Sequence, residues 1–103
     1  MWAQLITMRV KPGREQEVPG LFEQLRAAEQ PGSGLVRTTA MQDQQDPSRV
    51  YALVVFESEE KARAREQDPQ RQGALTSVRE LMADILDGAP AFVDLKVVGD
   101  VSP

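Results

Sequence analysis

The stretch Val50-Tyr51-Ala52-Leu53-Val54-Val55-Phe56 constrains the fold more than any other part of the chain. It is apolar or aromatic throughout and rich in the β-branched side chains that strands favour. A strand points successive side chains to opposite faces, so a strand with one wet face alternates apolar and polar residues. This one does not alternate, so both of its faces must be covered and it belongs in the middle of a sheet. The residues that follow are equally directive. Glu57-Ser58 turns the chain, Ser58 is a good N-cap, and Glu59 and Glu60 fall in a first helical turn, where the helix dipole favours carboxylates. The helix is predicted to run to about Gln67. Asp68-Pro69 then restarts it, because Asp caps helices and Pro is tolerated at the first helical position. The second piece is predicted to reach about Asp87. Leu75, Val78, Leu81, Met82 and Ile85 form its apolar stripe, Gly88 its C-cap, and Pro90 lies just beyond.

The rest of the chain reads as partners for this unit. Residues 2 to 10 form a first strand, with Trp2, Gln4, Ile6, Met8 and Val10 on one face and Ala3, Leu5, Thr7 and Arg9 on the other. Both faces are largely apolar, as in a central strand. Lys11-Pro12-Gly13 is a turn. A helix is predicted over Arg14 to about Glu29, with the stripe Val18, Leu21, Phe22, Leu25 and Ala28. Pro deep in a helix costs about 3 kcal/mol, so Pro19 is expected within the first turn or two, or at the true start of the helix. Pro31-Gly32-Ser33-Gly34 ends it. Leu35 to Gln42 is a more polar strand suited to an edge, and Asp43 to Ser48 is a hairpin loop. Ala91 to Val98 is a last strand, interrupted by Asp94 and Lys96. Met8, Met41 and Met82 are expected to fill the core.

The order β-α-β-β-α-β is the split, ferredoxin-like arrangement, an α+β fold with a four-stranded antiparallel sheet and two helices on one face. In that fold the first and third strands are central, and here they are the most continuously apolar. One domain is expected over residues 1–98, with a tail over 99–103; the length of 103 residues hardly allows two. Two helices cover only one face of the sheet, and the other face would expose apolar residues. A homodimer packed through the sheet faces is therefore expected.

Composition narrows the chemistry. At 41% hydrophobic and 27% charged residues the chain reads as an ordinary soluble globular protein. The net charge of −4, without a basic run, argues against a nucleic-acid surface. No apolar run approaches the roughly 20 residues of a membrane span. The N-terminus lacks the basic segment, apolar core and cleavage site of a signal peptide, so the cytoplasm is the expected compartment. The chain has no cysteine and no histidine. Disulfides and thiolate chemistry are excluded, and the only side chain that titrates near neutral pH without tuning is missing. Any metal site would have to be all-oxygen, and no clustered carboxylates suggest one, so neither metal nor cofactor is expected.

The pattern strand-Lys11-Pro12-Gly13-helix, Pro31-Gly32, Asp46-Pro47-Ser48-Arg49-strand, Phe56-Glu57-Ser58-Glu59-Glu60-Lys61-Ala62 and Asp68-Pro69 resembles the antibiotic biosynthesis monooxygenase domain. The resemblance covers about residues 2 to 98 and is most specific from Asp46 to Pro69. It implies a dimeric α+β barrel with a ligand pocket between helices and sheet in each protomer. It also implies cofactor-independent oxygenation of phenolic or quinol-like aromatics, or, in a related branch, haem degradation. The chain departs from the family at telling positions. Phe56 stands where Trp is frequent, and Arg65 and Gln70 stand where His is frequent. The Asn, Trp and His triad of the haem-degrading branch aligns approximately with Ile6, Arg65 and Leu75, so haem degradation is not expected.

Oxygenation without a cofactor needs a bound phenol, help with its deprotonation, and stabilisation of the oxyanion. Arg suits the last task, being permanently cationic with a planar fork of donors. The candidates are Arg65, Arg37 and Arg9. Asp94 interrupts an apolar strand and would serve as a base if burial raised its pKa. Tyr51, Gln4 and Thr39 are candidate ligand contacts, and Trp2 with Phe56 could wall a flat substrate. Each residue also has a purely structural reading: the arginines solvated or paired at the rim, Asp94 facing water or paired with a Lys or Arg, and the aromatics in the core. An aromatic-processing enzyme, a small-molecule-binding module and a structural dimer of the same fold therefore remain the alternatives.

Overall fold

A computed structural model describes residues 1–103. Its strands are β1 (Trp2–Arg9), β2 (Leu35–Gln42), β3 (Arg49–Phe56) and β4 (Ala91–Lys96), and its helices are α1 (Val18–Ala27), α2 (Glu59–Glu66), α3 (Pro69–Ala74) and α4 (Thr76–Ile85). The strands form one sheet in the order β2-β3-β1-β4, with every neighbouring pair antiparallel. This is the expected ferredoxin-like topology, with the two most apolar strands in the centre. No helix is long and apolar enough to cross a membrane.

The register explains the doubly apolar strands. Trp2 lies opposite Phe56, Gln4 opposite Val54, Ile6 opposite Ala52 and Met8 opposite Val50. These side chains face the helices; all but Gln4 and Ile6 belong to the core with Leu21, Ala28, Ala62, Leu75, Val78 and Ile85, and Ile6 packs against it. The alternate residues, Ala3, Leu5 and Thr7 of β1 with Tyr51, Leu53 and Val55 of β3, face the other way. Val93 and Leu95 of β4 continue this open face opposite Leu5 and Ala3. On β2 the open face carries Arg37, Thr39 and Met41.

Local chemistry sets the helix boundaries. Lys11-Pro12-Gly13 turns the chain out of β1, and a 3-10 turn at Glu15–Glu17 precedes α1, whose first turn holds Pro19. Pro is harmless there because its missing N–H would have no helical partner anyway. Ser58 Oγ accepts from the Lys61 N–H, and Asp68 accepts from the Gln70 N–H with Pro69 at the start of α3. Both caps stand where the sequence places them.

The helix predicted from Pro69 to Asp87 is two helices. Leu75 closes α3 by donating its N–H to the Arg71 carbonyl, and its side chain is buried in the core. The second helix also ends earlier than predicted, at Ile85. Leu86 turns extended and bridges Val10, while Lys11 donates to the Ile85 carbonyl and Asp87 to that of Arg9. Pairing with the end of β1 therefore stops α4. Leu86 is its C-cap, and Gly88, at φ +89°, serves the turn beyond. Two smaller expectations also change. The last strand ends at Lys96 rather than Val98, where β1 offers no further partner. Met41 is 44% exposed on the open face rather than in the core.

Gly34 shows how tightly the α1–β2 connection is held. It has φ +84°, its carbonyl accepts from the Glu57 N–H at 2.9 Å, and a Cβ there would meet the Lys61 Cβ at 2.7 Å. Gly20, in the exposed part of α1, has nothing within 4 Å of the same position. Gly34→Ala should lower the unfolding free energy by more than about 1 kcal/mol, whereas Gly20→Ala should raise it by about 0.5–1 kcal/mol through helix propensity. Chemical denaturation of the two variants beside the parent checks both signs.

Candidate functional site

The helices do not close completely over the sheet. A cavity of about 870 Å³ lies between them, within the range of about 300–1,000 Å³ usual for ligand pockets. Its sheet wall is built from the helix-facing positions of the strands: Trp2, Gln4, Ile6 and Met8 on β1, Ala52, Val54 and Phe56 on β3, Thr38 and Ala40 on β2, and Phe92 on β4. The helices add Leu21, Phe22 and Leu25 from α1, Leu75 at the α3–α4 junction, and Val78 and Met82 from α4. Trp2 and Phe56 lie with ring centroids 5.9 Å apart and planes tilted by 45°.

The polar groups collect on the helical side. Arg65 on α2 reaches across to Glu29, just beyond α1, in a bidentate pair: Nε to Oε2 at 3.0 Å and Nη2 to Oε1 at 2.6 Å. Both side chains are largely buried, and the guanidinium lies 5.2 Å over the Phe56 ring. Burial pushes the Glu29 carboxyl up. Hydrogen bonds from Arg65 and Ser33 and the charges of Arg65 and Arg71 outweigh it and hold the group below the usual carboxylate range. Arg65 is thus a clamp between α1 and α2 as well as a cavity wall.

Arg71 on α3 and Arg79 on α4 also line the cavity. Arg79 donates to the Gln72 side chain, whose amide in turn donates to the Glu66 carbonyl. Arg71 is half-buried. Burial, then the positive charge of Arg65 and, more weakly, that of Arg79, hold it below the ordinary guanidinium range. A guanidinium stays protonated in proteins all the same.

The sequence candidates divide between the two faces of the sheet. Trp2, Gln4, Phe56 and Arg65 come together in the cavity wall. Arg37, Thr39 and Tyr51 lie on the open face, because β2 and β3 pair in the register Arg37↔Val55, Thr39↔Leu53 and Met41↔Tyr51. Thr38 takes the lining place expected for Thr39. Arg9 is also on the open face, donating to Ser48 at 2.8 Å. Asp94 faces the helices beside the cavity, accepting from Gln4 at 3.0 Å and from Arg63 at 2.7 Å. Those two hydrogen bonds, Gln4 first, hold its carboxyl below the ordinary range. The raised pKa that would make it a base is absent, and Arg63 also lies 5.0 Å over the Trp2 ring.

Glu29, Arg71 and Arg79 were not among the sequence candidates. A signal for Arg71 was available: it stands four residues before Leu75 and so extends the apolar stripe of α4 backwards with a cation. Glu29 offered none, since its role depends on where α2 crosses the end of α1. With no histidine or cysteine in the chain and no carboxylate cluster able to hold a metal ion, the cavity offers a ligand arginines, ion-paired carboxylates, amides, the Thr38 hydroxyl and apolar walls.

The chain belongs to the antibiotic biosynthesis monooxygenase family, whose model matches residues 1–95. Solved structures agree in fold. A putative antibiotic biosynthesis monooxygenase from Chloroflexus aurantiacus is 26% identical, with a TM-score of 0.66 over 99% of this chain and 98% of that one. SnoaB, a cofactor-independent oxygenase from Streptomyces nogalater, is 16% identical, with a TM-score of 0.75 over 99% and 97%. MhuD, with two manganese protoporphyrin IX molecules bound per active site, is 17% identical, with a TM-score of 0.80 over the whole of both chains. No curated protein matches the chain.

The lowered Glu29 pKa makes the clamp pH-dependent. Its contribution is present above the ordinary carboxylate pKa of about 4.3 and is lost as pH falls through the lower folded value. Glu29→Gln should cost about 1–3 kcal/mol at neutral pH. The gap from the parent should shrink as pH falls below the ordinary carboxylate value and through the lower folded one, where Glu29 itself becomes neutral. Urea denaturation of both proteins across that range gives the comparison.

Proposed function

We propose that the protein is a cofactor-independent monooxygenase acting on a small phenol or quinol, and that it works as a homodimer. The observation that carries the reading is a cavity with flat apolar walls and a cationic side. Trp2, Phe56, Ile6 and Phe92 suit an aromatic ring, while the guanidinium groups of Arg65 and Arg71 suit anionic oxygens, a phenolate among them. Cations in the wall of a mostly apolar cavity favour the anion of a bound phenol and lower its pKa. The proton leaves to solvent, because Glu29 is held ionised by its partners and the chain has no histidine. The phenolate gives one electron to O₂, and the resulting radical pair joins through a new C–O bond at a ring carbon. The peroxide anion takes a proton from solvent, and loss of the hydrogen on the same ring carbon as a proton then sends that C–H electron pair into a C=O bond and breaks the O–O bond. One oxygen stays as a quinone carbonyl, the other leaves as hydroxide and takes up a proton as water, and the substrate supplies both electrons for that oxygen.

Oxygen uptake on a panel of hydroquinones and naphthols tests the chemistry. Turnover should incorporate one atom from labelled O₂, and kcat/KM should rise with pH through a single ionisation that moves with each substrate's own phenolic pKa. An ionisation common to all substrates would mean that an enzyme group acts as the base. A second reading, binding without turnover, is favoured by the lack of any proton acceptor poised near neutral pH in the cavity. Tight binding of these phenols with no oxygen uptake would select it.

The homodimer rests on the open face of the sheet. Val93 is 47% and Leu95 36% exposed there, beside Leu5, Leu53 and Tyr51. Contiguous apolar surface of this kind is uncommon on a monomer, and a two-fold axis would cover it with its own copy. Light scattering should give twice the chain mass. Val93→Asp together with Leu95→Asp should give a folded monomer, and an unchanged mass would exclude this face as the interface.

A further inference from the structure

We propose that Arg71 is the specificity-determining residue of the cavity and that it binds a carboxylate on the substrate ring, so that the ligands are aromatic acids. As to substrate, the inference deepens the oxygenase reading; as to binding, it stands without it.

Most of the charges that line the cavity already have partners. Glu23 pairs with Arg26, Glu29 is held by Arg65, and Glu66 pairs with Arg63 at 3.1 Å. Arg79 is exposed, screened by water, and bound to the neutral Gln72 amide. Arg71 alone is half-buried and has no hydrogen-bond or ion-pair partner for its guanidinium; Glu29 and Glu66 act on it only at a distance. A cation removed from water without a partner costs free energy. Such a site is unusual in a chain of net charge −4, where carboxylates outnumber cations. A carboxylate from a ligand would complete it. The planar guanidinium fork donates two parallel hydrogen bonds to a carboxylate, and one half-buried cation matches one negative charge. The apolar remainder of the cavity, with Leu75 and Val78 on the same side, requires the rest of that ligand to be a hydrophobic ring. Arg65, whose Nε and Nη2 are held by Glu29, shapes the wall and keeps Nη1 for a phenolate oxygen, while Arg71 reads the ligand's permanent charge.

The test uses two matched pairs of probes: para-phenylbenzoate with para-phenylbenzamide, and para-(hydroxyphenyl)benzoate with its amide. Calorimetry on the intact protein should show each acid binding at least about tenfold more tightly than its amide. In Arg71→Gln that preference should fall to about onefold with the amides unchanged, and Arg71→Lys, which keeps the charge but loses the fork, should fall between. Arg79→Gln should move it less than Arg71→Gln. Equal binding of acid and amide by the parent, binding of neither, or a preference that survives Arg71→Gln would each overturn the proposal. Oxygen uptake on the hydroxylated pair separates the two readings. Acid-selective binding without uptake leaves this inference standing and removes the oxygenase. Uptake equal for hydroxy acid and hydroxy amide removes the inference and leaves the oxygenase.

Discussion

The antiparallel ladder between β1 and β3 is the constraint on which the other elements depend. It pairs Trp2 with Phe56 at one end and Arg9 with Arg49 at the other, and nearly every residue between is apolar on both faces. One face needs helices, and α1 and α4 supply Leu21, Val78 and Ile85 to it. The open face keeps Leu53, Leu5 and Val93 in a row, with Leu95 beside them opposite Ala3. Even the end of α4 follows from the ladder, because Leu86 leaves the helix to bridge Val10 just past β1.

The second helical arm, which forms part of the cavity wall, is broken. A single straight helix from Pro69 onward would lie along the sheet as one rod. Breaks at Asp68 and Leu75 instead divide the arm into three short pieces. The pieces place Arg65, Arg71 and Arg79 around one apolar space. Only Arg65 receives a carboxylate from the chain, and the pair it makes joins α2 to the end of α1. The polar chemistry of the site is therefore set by helix ends, while the shape of the ligand space is set by the sheet.

Much of this was legible in the residues themselves. The unbroken run Val50–Phe56 marks a central strand, Ser58 and Asp68 mark two helix starts, and the polar β2 marks an edge. In the site, Trp2, Gln4, Phe56 and Arg65 were recognisable because they lie on or beside elements whose facing is fixed by a period of two or by a cap. Arg37, Thr39 and Tyr51 were harder. A strand of alternating faces offers two choices, and which one looks at the helices depends on pairing register; the shift between Leu35 and Arg37 also displaces that register on β2. Asp94 has its functional possibilities limited by Gln4 and Arg63, neither of which is near it in sequence.

The sequence by itself determined the order of elements, the central strands, the two caps and the absence of histidine and cysteine chemistry. Each of these is a local property of spacing or residue type. Only the tertiary structure decided that Glu29 neutralises Arg65, that Arg71 has no partner, and that the helix after Pro69 breaks at Leu75. The physical reason is that charge compensation and burial depend on distances between residues far apart in the chain. Arg65 and Glu29 are separated by 36 positions, and no periodicity reaches that far.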